Sequence, residues 1–112
     1  MIKGEWLALI GRFQEHLKAE RGLAPLTVRN YSTDLQPLYD YLTRKSIADL
    51  RELDRAAIRG YLAWLNELGY VRRSIARKLS TLRTFLRWLV RKGRLDADPL
   101  PKRGVMKLES RL

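Results

Sequence analysis

Apolar residues recur every three or four positions along nearly the whole chain, and no stretch alternates long enough to predict a strand. The pattern therefore predicts an all-helical fold. The predicted helices span about residues 4–21, 25–45, 55–68 and 72–92. Gly22, Gly69 and Gly93 follow three of them and favour the left-handed conformation that ends a helix. Asp54 is the predicted N-cap of the third helix.

The apolar stripe is most regular in the fourth predicted helix, where Ile75, Leu79, Leu82, Leu86 and Leu89 share one face. In the second helix, Pro37 lacks an N–H donor, so it predicts either a kink near residues 33–37 or a complete break. Apolar positions after Gly22 and Gly69 repeat with an offset of 47 residues. Two similar helix pairs would explain this repeat, as would two unrelated amphipathic helices that each follow a glycine.

A chain of 112 residues with no cysteine and one histidine predicts a single domain without disulfides, thiol nucleophiles or a metal site. We expect no cofactor. No apolar run approaches the roughly 20 residues that span a bilayer, and the start of the chain does not resemble a secretion leader. A cytoplasmic location is therefore predicted. His16 is expected to pair with Glu20 on the surface of the first helix.

Positive charge is concentrated near the carboxyl end of the chain. Residues 1–70 hold 10 basic and 9 acidic side chains, whereas residues 71–112 hold 13 basic and 3 acidic ones. The net charge of +11 therefore comes almost entirely from the last 42 positions. This asymmetry favours a polyanionic partner, with nucleic acid the leading candidate.

The fourth helix carries a predicted cationic face. On a helical wheel, six residues lie opposite the apolar stripe: Arg73, Arg77, Ser80, Thr84, Arg87 and Arg91. Ser74, Lys78 and Thr81 lie on one flank. Arginine and lysine neutralise phosphates, hydroxyls donate short hydrogen bonds, and an exposed helix fits the DNA major groove. The alternative is an ordinary solvated helix surface.

The second helix has a lighter polar face made of Thr27, Arg29, Asn30 and Thr33. Asparagine can read adenine, although threonine and asparagine near a helix start also commonly cap the backbone. No tyrosine lies near a cluster of groups that would activate it, and no carboxylate pair is arranged for acid and base catalysis. The sequence therefore predicts no catalytic residue.

Two stretches carry a family resemblance: E-R-G-L-A-P-L-T-V-R-N-Y-S-T-D-L at residues 20–35, and L-G-Y-V-R-R-S-I-A-R-K-L-S-T-L-R-T-F-L-R-W-L-V-R-K-G-R-L-D-A-D-P at residues 68–99. In order and spacing they resemble the N-terminal core-binding domain of tyrosine recombinases, the family of phage integrases and Xer-like proteins. The resemblance implies a SAM-like fold of four orthogonally packed helices in two hairpins. It also implies a DNA-binding domain over residues 1–98 and a linker over 99–112.

Family members clamp double-stranded DNA between this domain and a C-terminal catalytic domain, which supplies the nucleophilic tyrosine. The resemblance thus implies that this chain binds DNA without cutting it, as a monomer alone and within a parent that is tetrameric on DNA and nucleoid-associated. The implied DNA-binding residues are Thr27, Arg29, Asn30, Thr33, Arg72, Arg73, Ser74, Arg77, Lys78, Thr81 and Arg87. Which of them read bases, and whether the parent resolves chromosomes, integrates phage or moves a transposon, stays open.

Four positions depart from the family pattern. Ala24 and Val71 stand where family members often have serine, and Arg72 stands where they often have proline. Both helix starts are therefore expected to lack a side-chain cap worth about 1 kcal/mol. Pro37 is also unusual for the family. Two readings from other functional classes remain: a helical adaptor whose basic face meets an acidic protein, and a basic surface that binds anionic lipid.

Overall fold

The computed structural model describes residues 1–100, and over this range it contains four α-helices, one short 3-10 helix and no strand. The α-helices are α1 (Lys3–Ala19), α2 (Pro25–Arg44), α3 (Arg55–Glu67) and α4 (Arg72–Arg91), and the 3-10 helix is Leu50–Glu52. Each α-helix lies within two residues of its predicted bounds. The all-α prediction is confirmed. The chain divides into two compact units, residues 1–48 and a second unit that begins at Asp49.

The first unit is a helical hairpin in which α1 packs against α2. Its buried side chains include Phe13, Leu17, Leu35 and Leu38, which follow the three-to-four spacing of the two helices. The rings of Trp6 and Tyr39 lie 5.5 Å apart. The amino group of Met1 donates to the carbonyl of Ile47 at 2.9 Å and ties the two ends of this unit together. Burial raises the pKa of the Tyr41 phenol.

Helix α2 runs without interruption through Pro37, so the alternative of a complete break at this residue is wrong. Proline cannot donate to the carbonyl of Thr33, one turn earlier. The hydroxyls of Ser32 and Thr33 donate to the carbonyls of Val28 and Arg29, at 3.2 and 3.0 Å. Such bonds are compatible with a helix that continues and commonly accompany local bending.

The second unit pairs α3 with α4. Its buried residues include Tyr61, Leu65, Leu82 and Phe85, and Phe85 stacks on Trp88 with ring centroids 6.1 Å apart. After α4 the chain remains packed within the second unit, because Leu95 and Leu100 are buried. The Leu100 amide donates to Asp98 Oδ1 at 2.9 Å. Residues 101–112 of the predicted linker lie outside the described part of the chain.

Local capping chemistry explains where the helices begin and end. Asp54 accepts from the Ala57 amide at 2.8 Å and caps α3 as predicted. Gly22, Gly69 and Gly93 all have positive φ angles, of 61°, 92° and 74°. Their lack of a Cβ lets them adopt this conformation without steric cost.

The histidine is buried, and the expectation of a surface pair was therefore only partly right. His16 Nδ1 lies 2.8 Å from Glu20 Oε2, as the spacing along α1 predicts, but the imidazole is almost completely buried while the carboxylate is exposed. The ring lies beside Phe13, with centroids 6.3 Å apart. His16 therefore belongs to the core of the first unit, where its apolar ring atoms are packed.

Candidate nucleic-acid interface

The outward face of α4 is an exposed array of guanidinium groups. Arg73, Arg77, Arg87 and Arg91 are all exposed, and α4 contains seven basic residues and no acidic one. From Arg73 to Arg91 the face is about 27 Å long at 1.5 Å per residue. We name these four arginines, with Ser80 and Thr84 between them, the α4 basic face. The four arginines are thus exposed on the side of α4 that the helical wheel predicts, opposite the apolar stripe.

Burial of the opposite side fixes the direction in which this face points. Leu82, Phe85, Leu86 and Leu89 are at most 1% exposed, so rotation of α4 would expose a large apolar area. Ser80 is exposed and Thr84 is half-buried, and the Thr84 hydroxyl donates to the Ser80 carbonyl at 3.3 Å. The guanidinium groups are thus presented by a rigid element, which is the arrangement that a precise binding surface requires.

Lys78 and Thr81 differ from the expected groove-facing flank, because they are only 5% and 4% exposed. Lys78 Nζ lies 4.8 Å from the centre of the Tyr70 ring, a cation–π contact within the second unit. The reason is geometric: at 100° per residue Lys78 falls about 60° from Ile75, inside the arc that Phe85 and Leu89 occupy. Ser74, on the same flank, is half-buried.

The polar face of α2 is mostly exposed. Arg29, Asn30 and Thr33 are exposed, whereas Thr27 is half-buried. The Thr33 hydroxyl donates to the Arg29 carbonyl, so its oxygen remains as an acceptor for a ligand. Helix α2 begins at the N-cap Ala24 without a side-chain cap, as expected for alanine. This face carries one arginine and is therefore much weaker electrostatically than the α4 basic face.

Two features beside the α4 basic face had not been predicted. Arg83 is half-buried, and its Nε atom is buried without a hydrogen-bond partner among the described residues. The turn before α4 exposes three apolar or aromatic side chains: Leu68, Tyr70 and Val71. The run L-G-Y-V was a visible signal in the sequence, but its residues fitted equally well into the end of one helix and the start of the next.

Over residues 1–100, no group of three or more histidine, cysteine, aspartate or glutamate side chains could hold a metal ion. Over the same range, none of the helices combines the length and the apolar character needed to cross a bilayer.

Comparison with known families identifies the chain. Residues 10–93 match the family described as phage integrase, N-terminal SAM-like domain. The chain belongs to this family. The SAM-like domain includes both polar faces, because α2 and α4 lie within the matched residues. The resemblance of residues 20–35 and 68–99 to recombinase core-binding domains is thereby confirmed.

Curated relatives of the SAM-like domain carry the name tyrosine recombinase. The chain is 38% identical to tyrosine recombinase XerC of Halalkalibacterium halodurans over 106 residues, which cover 90% of this chain and 35% of that protein. It is 42% identical to XerC of Lacticaseibacillus casei, over 80% of this chain and 30% of the relative. Tyrosine recombinase XerD of Listeria monocytogenes is 34% identical, over 82% and 31%. The chain spans about a third of the length of these relatives. No solved structure matches it at a significant level.

Proposed function

We propose that this SAM-like domain is the DNA-binding module of a site-specific tyrosine recombinase. The α4 basic face is the main support for this proposal, because it presents four exposed arginines on one side of a helix whose opposite side is buried. The names of the relatives give the reaction class in which such a module works. Strand cleavage and exchange belong, in this proposal, to a catalytic domain of the same parent protein.

The proposed division of labour follows from side-chain chemistry. Arg73, Arg77 and Arg87 neutralise phosphates or fork onto guanine, and the exposed hydroxyl of Ser80 donates to phosphate oxygens. Arg72 is exposed at the start of α4 and adds charge there. On α2, Arg29 contacts the DNA backbone, while Asn30 is suited to hydrogen-bonding the edge of an adenine base.

The two buried members of the predicted set have a different proposed role. Lys78 and Thr81 support the interface from within rather than touch the duplex, because their side chains have almost no exposed surface. Lys78 contacts Tyr70, and so contributes to the shape of the turn before α4. Ser74 and Thr27 are half-buried, and we propose them for contacts at the edges of the two faces.

The test is a fluorescence-anisotropy titration of a labelled random-sequence duplex at two salt concentrations, for the wild type and for Arg77→Ala. The wild type should lose affinity linearly in a log–log plot, with a slope of about −0.9 per phosphate contacted. Arg77→Ala should reduce the steepness of the slope by about 0.9. Arg12→Ala removes an exposed arginine of α1 and is the matched control, which should bind like the wild type.

Equal duplex affinity in the wild type, Arg77→Ala and Arg12→Ala would remove Arg77 from the DNA site. Tight, salt-sensitive binding to an acidic protein together with no duplex binding would favour the function of a helical adaptor instead.

We also propose that the domain alone is monomeric and does not cut DNA. Incubation with a nicked duplex should therefore yield no covalent protein–DNA adduct.

A further inference from the structure

The turn that joins α3 to α4 exposes a compact apolar surface. Leu68 is 53% exposed, Tyr70 is 37% exposed and Val71 is 66% exposed, although all three are large apolar or aromatic side chains. We name these three residues the apolar tip. They lie within four consecutive positions, so the exposed apolar area is contiguous in the chain rather than scattered over the surface.

The apolar tip has a defined shape. The Gly69 amide donates to the Asn66 carbonyl at 3.1 Å, and the Tyr70 amide donates to the Leu65 carbonyl at 3.3 Å. Together these bonds form the Schellman motif that closes α3, with Gly69 at a φ of 92°. Lys78 Nζ lies 4.8 Å from the centre of the Tyr70 ring. The middle of the tip is therefore held by backbone bonds to α3 and by the contact of the Tyr70 ring with a buried side chain of α4.

Charge beside the apolar tip identifies the kind of partner that it fits. Arg72 and Arg73 follow Val71 directly, both are exposed, and the α4 basic face continues from them. A surface with apolar side chains at its end and guanidinium groups along its length matches a DNA groove. There, phosphates line the walls, and thymine methyl groups on the floor offer apolar contacts.

We propose that the apolar tip enters the same groove as the α4 basic face and packs Leu68 and Val71 against thymine methyl groups. This inference rests on the proposed DNA-binding function and adds a base preference to it: the tip favours A·T pairs through contact with the methyl group. The arginines supply the salt-dependent part of the affinity, and the tip supplies a part that does not depend on salt.

The experiment compares two random-sequence duplex pools that differ by one methyl group per A·T pair, one synthesised with dTTP and the other with dUTP. The wild type should bind the uracil pool about 4-fold more weakly, the value of one fully buried methyl group. Val71→Ser should bind the thymine pool about 4-fold more weakly than the wild type does, and it should discriminate less between the two pools. Its salt slope should equal that of the wild type, because no phosphate contact is lost.

Val71→Ser is suited to this test because serine is a better N-cap than valine, so the change should not unfold α4. Ile2→Ser is the matched control, since Ile2 is 70% exposed in the first unit and is not among the proposed DNA-binding residues. It should bind both pools like the wild type. Leu68→Ser provides a second variant of the tip, and its expected effect is the same as that of Val71→Ser.

Three results would overturn the inference. If Val71→Ser and Leu68→Ser bind both pools like the wild type while Arg77→Ala binds weakly, the tip does not touch DNA and the proposed function survives. If the wild type binds neither pool, the proposed function fails and the inference fails with it. If the tip variants lose binding to phosphatidylserine vesicles but keep their duplex affinity, the tip is a membrane contact.

Discussion

Ser46 shows how a single residue can carry strain at a helix end. Among the described residues it is the only non-glycine residue with a positive φ angle, which is 55°. Its amide donates to the Thr43 carbonyl at 3.2 Å, and the Ile47 amide donates to the Leu42 carbonyl at 2.9 Å. This is the same hydrogen-bond pattern that Gly69 provides after α3, built here with a residue that has a Cβ.

Replacing Ser46 with glycine should stabilise the first unit. Glycine adopts the left-handed conformation without the steric cost that a Cβ imposes, and the side chain of Ser46 is exposed, so little packing is lost. We expect the free energy of unfolding of Ser46→Gly to rise by about 0.5–1 kcal/mol, measured from the urea midpoint and slope. Ser46→Ala keeps the Cβ and should show no such gain. A glycine variant no more stable than the alanine variant would contradict this explanation.

At the scale of the element, α2 and α4 both begin without a side-chain cap. Ala24 and Val71 occupy the N-cap positions with extended backbone, at φ,ψ of −63°,150° and −72°,157°. This is the backbone conformation in which serine would accept a bond from an early amide of the helix. By contrast, Asp54 provides that bond for α3. The expected loss of both caps is therefore confirmed.

Ala24→Ser should increase the stability of the chain. A serine hydroxyl at this N-cap can accept from one of the first amides of α2, which should raise the free energy of unfolding by about 1 kcal/mol. Ala63→Ser is the matched control, because it makes the same chemical change at an exposed position inside α3. There the lower helix propensity of serine should destabilise by about 0.5 kcal/mol. Equal effects of both changes on the urea midpoint would rule out capping as the cause.

At the scale of the whole molecule, positive charge is concentrated toward the carboxyl end of the sequence. Residues 71–112 hold 13 of the 23 basic side chains and 3 of the 12 acidic ones. If the α4 basic face makes the phosphate contacts, the salt dependence of binding should follow the charges on this face and not the total charge. Two triple variants with identical changes in net charge separate these possibilities.

The variant Arg73→Ala/Arg77→Ala/Arg87→Ala should reduce the steepness of the log–log salt slope by about 2.7, if each arginine contacts one phosphate. The variant Lys3→Ala/Arg12→Ala/Lys18→Ala removes three exposed charges from α1 and should leave the slope nearly unchanged. The measurement is duplex binding over a range of salt concentrations. Equal slopes for both triple variants would show that net charge, rather than the α4 basic face, drives the association.

The helices, their ends and the main buried positions follow from local rules, which is why they could be predicted. Helix formation depends on residues three and four positions apart, so the stripe from Ile75 to Leu89 predicts both α4 and its buried side. Glycine ends a helix because of its own backbone freedom, and Asp54 caps one with its own carboxylate. The exposure of the α4 basic face follows in turn, because the buried side leaves the arginines on the opposite one.

A helical wheel gives the direction in which a side chain leaves its own helix, but how much of that side chain is buried also depends on what packs around the helix. Lys78, Thr81 and His16 are polar residues at the margins of apolar stripes, and tertiary packing buries all three. The left-handed turn at Ser46 likewise requires the chain to close α2 at a residue that does not favour this conformation. Local periodicity thus specified which residues form helices, whereas contacts between distant segments determined which polar side chains at the helix margins remain accessible to a ligand.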